Sequence, residues 1–289
     1  MTEYAAELII LEPEKLDVPS AELGEGPCWD AESQSLYWVD IPASRVHRLS
    51  AGGVHSSWDV GLSPGAVVPR ASGGLAVAAG NGFLSLDPLT GTVAELAAAP
   101  GLPGTRMNDG KCDRAGRFYA GTMAADESAG KGSFYRLDTD LDVSEIYTGI
   151  GISNGLGWSP DDRRMYYIDS LTYRIDVLDY ELTTGQMGER QPFVALGSDD
   201  VMPDGMAVDA EGGLWVAVWG GGVVQRYDAG GRLTGVVRIP AANVTSCAFG
   251  GPDLQTLYIT TAAGPGRLAG ALFSCAAGVR GLPSFSFGG

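Results

Sequence analysis

The sequence predicts an all-β fold, a six-bladed β-propeller that uses residues 1–289 as a single domain. Three observations predict it: abundant turn-formers, a strand phrase that recurs six times, and a spacing between copies that suits four short strands. Of the 289 residues, 43 are Gly and 16 are Pro, about one in five, too many breakers for a helical bundle. With 45% hydrophobic and 19% charged residues, the composition is that of a soluble globular protein with an ample core, and general disorder is excluded. Length alone suggests about two domains, but no linker or composition shift breaks the repeat.

The recurring phrase is an aromatic or aliphatic strand that follows a few residues of turn chemistry. Its copies are Leu36-Tyr37-Trp38-Val39-Asp40, Leu75-Ala76-Val77-Ala78-Ala79, Phe118-Tyr119-Ala120-Gly121-Thr122, Met165-Tyr166-Tyr167-Ile168-Asp169, Leu214-Trp215-Val216-Ala217-Val218 and Leu257-Tyr258-Ile259-Thr260-Thr261. The intervals between them are 39, 43, 47, 49 and 43 residues, within the range of a four-stranded blade. Turn clusters such as Asp113-Arg114-Ala115-Gly116 and Ser159-Pro160-Asp161-Asp162 precede the phrase and read as hairpin loops. A further strand follows it, for example Arg45-Val46-His47-Arg48-Leu49, Ser133-Phe134-Tyr135-Arg136-Leu137 and Val223-Val224-Gln225-Arg226-Tyr227. Sheets of this kind bury their faces only against one another around an axis. A β-sandwich is the alternative, but it does not require a repeat kept in phase along the whole chain. The strand-like segment 6–11 precedes the first blade and is expected to complete the last one.

Residues at one phase of a propeller repeat converge on the axis. Ten or eleven residues before each phrase stand Glu25, Pro64 or Gly65, Asn108, Asn154, Asp204, and Ser246 or Cys247. Four blades therefore offer a carboxylate or carboxamide at one station. Glu25, Asn154 and Asp204 are each followed by Gly, and Asn108 by Asp109-Gly110, which lets backbone crowd a narrow channel. Oxygen ligands of these types, with room for water, describe a hard divalent ion at the channel mouth. Asn-Gly and Asp-Gly are ordinary turn dipeptides taken singly, and it is their coincidence at one phase that argues for a site.

The charge and the other motifs narrow the function. Nineteen Lys and Arg against 35 Asp and Glu give a net charge of −16, which repels nucleic acid and anionic membrane and attracts cations. The first twenty residues lack a basic region and read as no signal peptide, and no apolar run reaches the length of a membrane span. Cys28, Cys112, Cys247 and Cys275 are dispersed, so free thiols and a cytoplasmic location are expected. Gly151-Ile152-Ser153-Asn154-Gly155 matches a nucleophile elbow in letters, but that motif needs a histidine later in the chain. The two histidines, His47 and His55, lie upstream in the outer part of the first blade, so Ser153 reads as a turn serine. Asp138-Thr139-Asp140-Leu141-Asp142 begins like a calcium loop yet has Val143 where Gly is required, and it reads as a hairpin turn.

With these residues in view, the sequence resembles the regucalcin (senescence marker protein) and gluconolactonase family of six-bladed propellers. The resemblance is carried by Leu23-Gly24-Glu25-Gly26-Pro27, Arg106-Met107-Asn108-Asp109-Gly110-Lys111, Gly121-Thr122-Met123, Ser153-Asn154-Gly155-Leu156, Tyr167-Ile168-Asp169-Ser170, Pro203-Asp204-Gly205-Met206 and Ser246-Cys247-Ala248-Phe249-Gly250-Gly251. It implies that Glu25, Asn154 and Asp204 hold one divalent metal ion: Ca2+, Mg2+, Mn2+, Zn2+ or Fe2+. It implies that Arg106 and Asn108 face the substrate and its water, and that Asp126 is an acidic substrate contact. The loops at 124–132 and 262–269 are short and rich in Gly, Ala and Ser, where animal members carry a longer lid over the site, so a more open mouth is expected.

The resemblance implies hydrolysis of sugar lactones to aldonic acids, and the residues suit that chemistry. A divalent ion polarises the lactone carbonyl, and Asp204, besides ligating it, is the group expected to take a proton from the attacking water. No covalent nucleophile is needed. The expected partner is a small sugar lactone. Two other readings stay open: a calcium-binding regulator without catalysis, and a hydrolase of other esters on the same scaffold.

Overall fold

Six antiparallel sheets stand around a central axis in the computed structural model, which describes residues 8–198 and 201–289. The first blade runs outward through Gly24–Asp30, Ser35–Asp40, Arg45–Ser50 and His55–Asp59. The other five innermost strands are Pro64–Pro69, Thr105–Cys112, Ser153–Trp158, Met202–Val208 and Val244–Gly250. Each packs on the next, and the sixth returns to the first. Among the described residues the one helical element is the 3-10 turn Ser170–Thr172, and no helix is long and apolar enough to cross a membrane. The six-bladed propeller read from the repeat is the fold.

The recurring phrase is the second strand of every blade: Ser35–Asp40, Leu75–Ala79, Phe118–Ala124, Arg164–Asp169, Leu214–Trp219 and Thr256–Thr261. These strands are apolar without alternation because neighbouring blades cover both of their faces. Outer strands are less covered, as in Val143–Ile150, where half-buried and exposed residues intersperse.

Segment 6–11 does not complete the last blade. Residues 6 and 7 lie outside the described residues, and Ile9–Leu11 pairs in parallel with Leu233–Arg238 of the fifth blade, Ile9 opposite Gly235. The last blade is closed by the next strand, Glu14–Lys15, antiparallel to Phe273–Ala276. Pro13 lies between the two short strands; lacking an N–H, it interrupts pairing and lets the chain step from one blade to the next. Leu11 packs against the core shared by these blades.

The C-terminal residues 277–289 cross the far end of the channel. Gly281 N–H donates to Leu254 O, Leu282 N–H to Val208 O and Phe287 N–H to Pro69 O. Phe287 is fully buried beside Phe83 and Phe118. Between the third and fourth blades, fully buried Asp113 accepts from Arg117 Nε at 2.7 Å and from Tyr180 Oη at 2.6 Å. Tyr180 thus latches one blade to the next. All four cysteines are free.

One irregularity repeats with the blades. Every innermost strand carries one extra residue relative to its partner, between Glu25 and Cys28, Pro64 and Ala66, Met107 and Gly110, Asn154 and Leu156, Pro203 and Met206, and Val244 and Ser246. A bulge bends its strand and re-aims a side chain. Six bulges at one height turn the predicted station into a ring.

Candidate active site

Glu25, Asn108, Asn154 and Asp204 meet on the axis at the height of the bulges, each about 5% exposed. With Arg106 they form the polar floor of an open cavity whose wall includes Leu23, Met123, Ile152, Met202 and Trp219. The second and sixth blades add no carboxylate or carboxamide at this station. A Cβ on Gly65 would stand 2.0 Å from the Asn108 carbonyl oxygen, so only glycine lets the second blade approach the third so closely.

The carboxamides are locked in orientation by their neighbours. Arg106 Nη1 donates to Asn108 Oδ1 at 2.8 Å and to Met107 O at 3.0 Å. Asn108 Nδ2 is thereby turned toward the fourth blade, where it donates to Asn154 Oδ1 at 2.9 Å and Ser153 O at 2.8 Å. Asn154 Nδ2 donates to Ser170 Oγ at 2.8 Å, and Ser170 Oγ donates to Pro203 O at 2.6 Å. Asn154 Oδ1 keeps one lone pair beyond its bond from Asn108.

The carboxyl groups are electrostatically unsatisfied. Burial and then the charge of Asp109 push Glu25 up to about 8. Burial, then Glu25 and Asp109, hold Asp204 well above the usual carboxylate range. Glu25 accepts one hydrogen bond, from Gly26 N–H at 2.8 Å, whereas buried Asp204 Oδ1 has no partner. A buried carboxylate oxygen without a donor is costly unless a cation meets it. The donor set of Glu25, Asp204 and Asn154 is all oxygen, the chemistry of a hard divalent cation. Among the described residues no cluster of three or more His, Cys, Asp and Glu side chains is placed for a metal; the three residues here are two acids and a carboxamide.

Of the expected substrate contacts, Arg106 and Asn108 line the cavity and Asp126 does not. Asp126 is exposed, accepts from Ser128 N–H at 3.1 Å and faces Lys131 Nζ at 3.4 Å. Its neighbour Glu127 lines the cavity instead and bears on Arg106 together with Glu25 and Asp204. A backbone φ of 58° at Glu127 turns the loop by one residue, an offset that residue type alone does not reveal. Loop 262–269 contributes no cavity wall. Ser153 is not a turn residue: it opens the innermost strand of the fourth blade, and its Oγ accepts from Tyr167 Oη at 2.8 Å.

Ser170, which holds both Asn154 and the strand bearing Asp204, was missed by residue-type reasoning. So were Asp109, one residue beyond Asn108, and Lys111, whose Nζ donates to Met206 O at 2.7 Å inside the channel. The signal for Ser170 was its place directly after the second strand of a ligand-bearing blade.

Comparison with known proteins identifies the family. The model of the SMP-30/Gluconolactonase/LRE-like region matches residues 23–263. Regucalcin of Danio rerio is 39% identical over 282 residues, covering 93% of this chain and 95% of its own. The structure of a calcium-binding regucalcin from Agrobacterium tumefaciens superposes with a TM-score of 0.90 at 28% identity, over 97% of this chain and 98% of that one. A luciferin-regenerating enzyme superposes with a TM-score of 0.86 at 30% identity, over 96% and 99% of the two chains. The chain belongs to the SMP-30/gluconolactonase/LRE-like family.

Proposed function

We propose that this protein is a divalent-metal-dependent hydrolase that opens sugar lactones to aldonic acids, with Glu25, Asn154 and Asp204 as the residues that hold the ion. One observation carries the reading: two buried carboxyl groups, one with an oxygen that has no partner, beside a carbonyl oxygen aimed by Asn108 and Ser170, on the floor of an open cavity. The names of the family and of its relatives support a lactone as substrate and a hard ion such as calcium as the metal.

A bound divalent ion supplies Lewis-acid polarisation of the lactone carbonyl. The chain's own residues do the rest. Asp204 takes the proton of the attacking water as its oxygen bonds to the carbonyl carbon, a general-base role worth on the order of 10²–10⁴ in rate, and returns that proton to the ring oxygen when the ring C–O bond breaks. Arg106, flanked by Glu25, Glu127 and Asp204, presents its remaining N–H groups to the carbonyl or ring hydroxyls and stabilises the developing oxyanion. Asn108 ties Arg106 to Asn154, so substrate and water are oriented by one hydrogen-bonded unit. Glu127 accepts from sugar hydroxyls, while Met123, Met202 and Trp219 cover the ring's C–H face.

The test is base consumption on a panel of five- and six-carbon aldonolactones with metal-stripped protein, restoring Mg2+, Ca2+, Mn2+, Zn2+ and Fe2+ separately. Activity is expected with a restored ion and not without. Full turnover by stripped protein, or by Asp204→Ala, would overturn the reading. Tight calcium binding with no turnover on any lactone would favour a regulator instead.

A further inference from the structure

The chain has only two histidines, and the fold brings them face to face. His47, on strand Arg45–Ser50, lies opposite Ser57, and His55, on strand His55–Asp59, lies opposite Leu49, so the two histidines form a diagonal pair on one face of the first blade. His47 Nδ1 stands 3.0 Å from His55 Nε2. Both rings lie against Trp38, at centroid distances of 5.1 Å for His47 and 5.7 Å for His55. His47 is 7% exposed and its other ring nitrogen, Nε2, has no partner, while His55 is half-buried and reachable from solvent.

We propose that His47 and His55 form a second metal site, a two-imidazole chelate for a borderline divalent transition ion of the Cu2+ or Ni2+ type. It is separate from the channel site and does not depend on what that site does. Imidazole nitrogens suit late divalent transition ions, whose affinity rises from Ni2+ to Cu2+, and the two rings bring one nitrogen each within 3.0 Å of the other. Ligation needs each ring to turn its lone pair off the line between the nitrogens. It breaks the single hydrogen bond they share, and each neutral ring then carries its proton on its outer nitrogen. Water fills the remaining positions from the His55 side.

The surroundings suit such a site. Asp40 and Arg45 are the charged neighbours of His47 and oppose each other. The net charge of −16 draws cations to the surface generally.

The test uses the full chain with its channel site saturated by Mg2+. Titration with Cu2+ or Ni2+ followed by calorimetry should show one equivalent bound. The paramagnetic ion should quench Trp38, about one sixth of the emission if the six tryptophans contribute equally. At a hundredfold excess of ion over Kd the melting temperature should rise by about 4 °C. In His55→Gln, at the half-exposed position, binding should weaken at least tenfold and the quenching should vanish; His47→Gln should behave alike if it folds. No binding by the parent protein, or binding and quenching unchanged in His55→Gln, overturns the proposal.

Discussion

The acids on the channel axis should make the metal-free protein lose stability as pH rises. The perturbation is removal of the ion. Glu25 has a folded-state value of about 8 against 4.5 for a free glutamate. Below 4.5 both folded and unfolded chains hold the proton, and nothing is lost. Between 4.5 and 8 only the folded chain holds it, so stability falls as pH rises. From pH 5 to pH 8 the loss through Glu25 alone is about 4 kcal/mol, and Asp204, raised by burial and by Glu25, adds to it. With 289 residues at roughly 2.1 cal/mol/K each, the unfolding entropy is about 0.6 kcal/mol/K. The melting temperature of stripped protein should therefore fall by about 7 °C over that range. With the proposed ion bound, both carboxylates are ionised and matched, and this part of the fall disappears. The assay is differential scanning calorimetry of stripped and metal-saturated protein at pH 5, 6, 7 and 8. The gap between the two melting temperatures should widen steadily with pH. In Asp204→Asn the gap should shrink at every pH, and the stripped variant should melt above the stripped parent at pH 8. A gap that stays constant from pH 5 to pH 8 would refute the reasoning, because the facing acids would then not be the groups the ion satisfies.

Four further substitutions probe the geometry. Glu127→Gln should raise KM for the preferred lactone several-fold while Asp126→Asn leaves kcat/KM within about twofold; the reverse ranking in steady-state assays would show that Asp126, not Glu127, reaches the substrate. Gly65→Ala places a methyl where the Asn108 carbonyl oxygen stands 2.0 Å away, and overpacking of this kind should cost about 3 kcal/mol, a drop of roughly 5 °C in melting temperature; an unchanged melt would mean that the second and third blades have slack. Asp113→Ala strips the partner from an Arg117 side chain only 8% exposed and frees the Tyr180 hydroxyl, so chemical denaturation should show a loss of about 3–5 kcal/mol with little change in KM.

In the channel, a repeat made the convergence of side chains legible before structure. Blade number, strand order and the shared height of Glu25, Asn108, Asn154 and Asp204 follow from counting, because a propeller maps phase along the chain onto distance along its axis. Three things escaped that map, each for a physical reason. The path of the first strands depends on Pro13, which interrupts pairing between two short segments, so that Ile9–Leu11 joins the fifth blade and Glu14–Lys15 closes the sixth; both segments have strand character, and periodicity does not say which edge each one meets. The exchange of Asp126 for Glu127 turns on one left-handed residue, a single φ angle that moves the side chain from solvent to cavity. The supports Ser170 and Asp109 lie off the counted phase and act through contacts that cross between blades, which no one-dimensional pattern records. The bulges join the readable part to the unreadable part. Each innermost strand spends one extra residue at the ligand height, where Gly26, Gly110, Gly155 and Gly205 follow or lie close to the acids and amides. These glycines let backbone crowd the axis; Gly26, Gly155 and Gly205 lie within the bulges that aim the neighbouring oxygens inward, and Gly110 closes the bulge of the third blade. A glycine beside a ligand in a repeat therefore carries directional information, and that is why the four-residue ring could be named from sequence while its pendant loop could not.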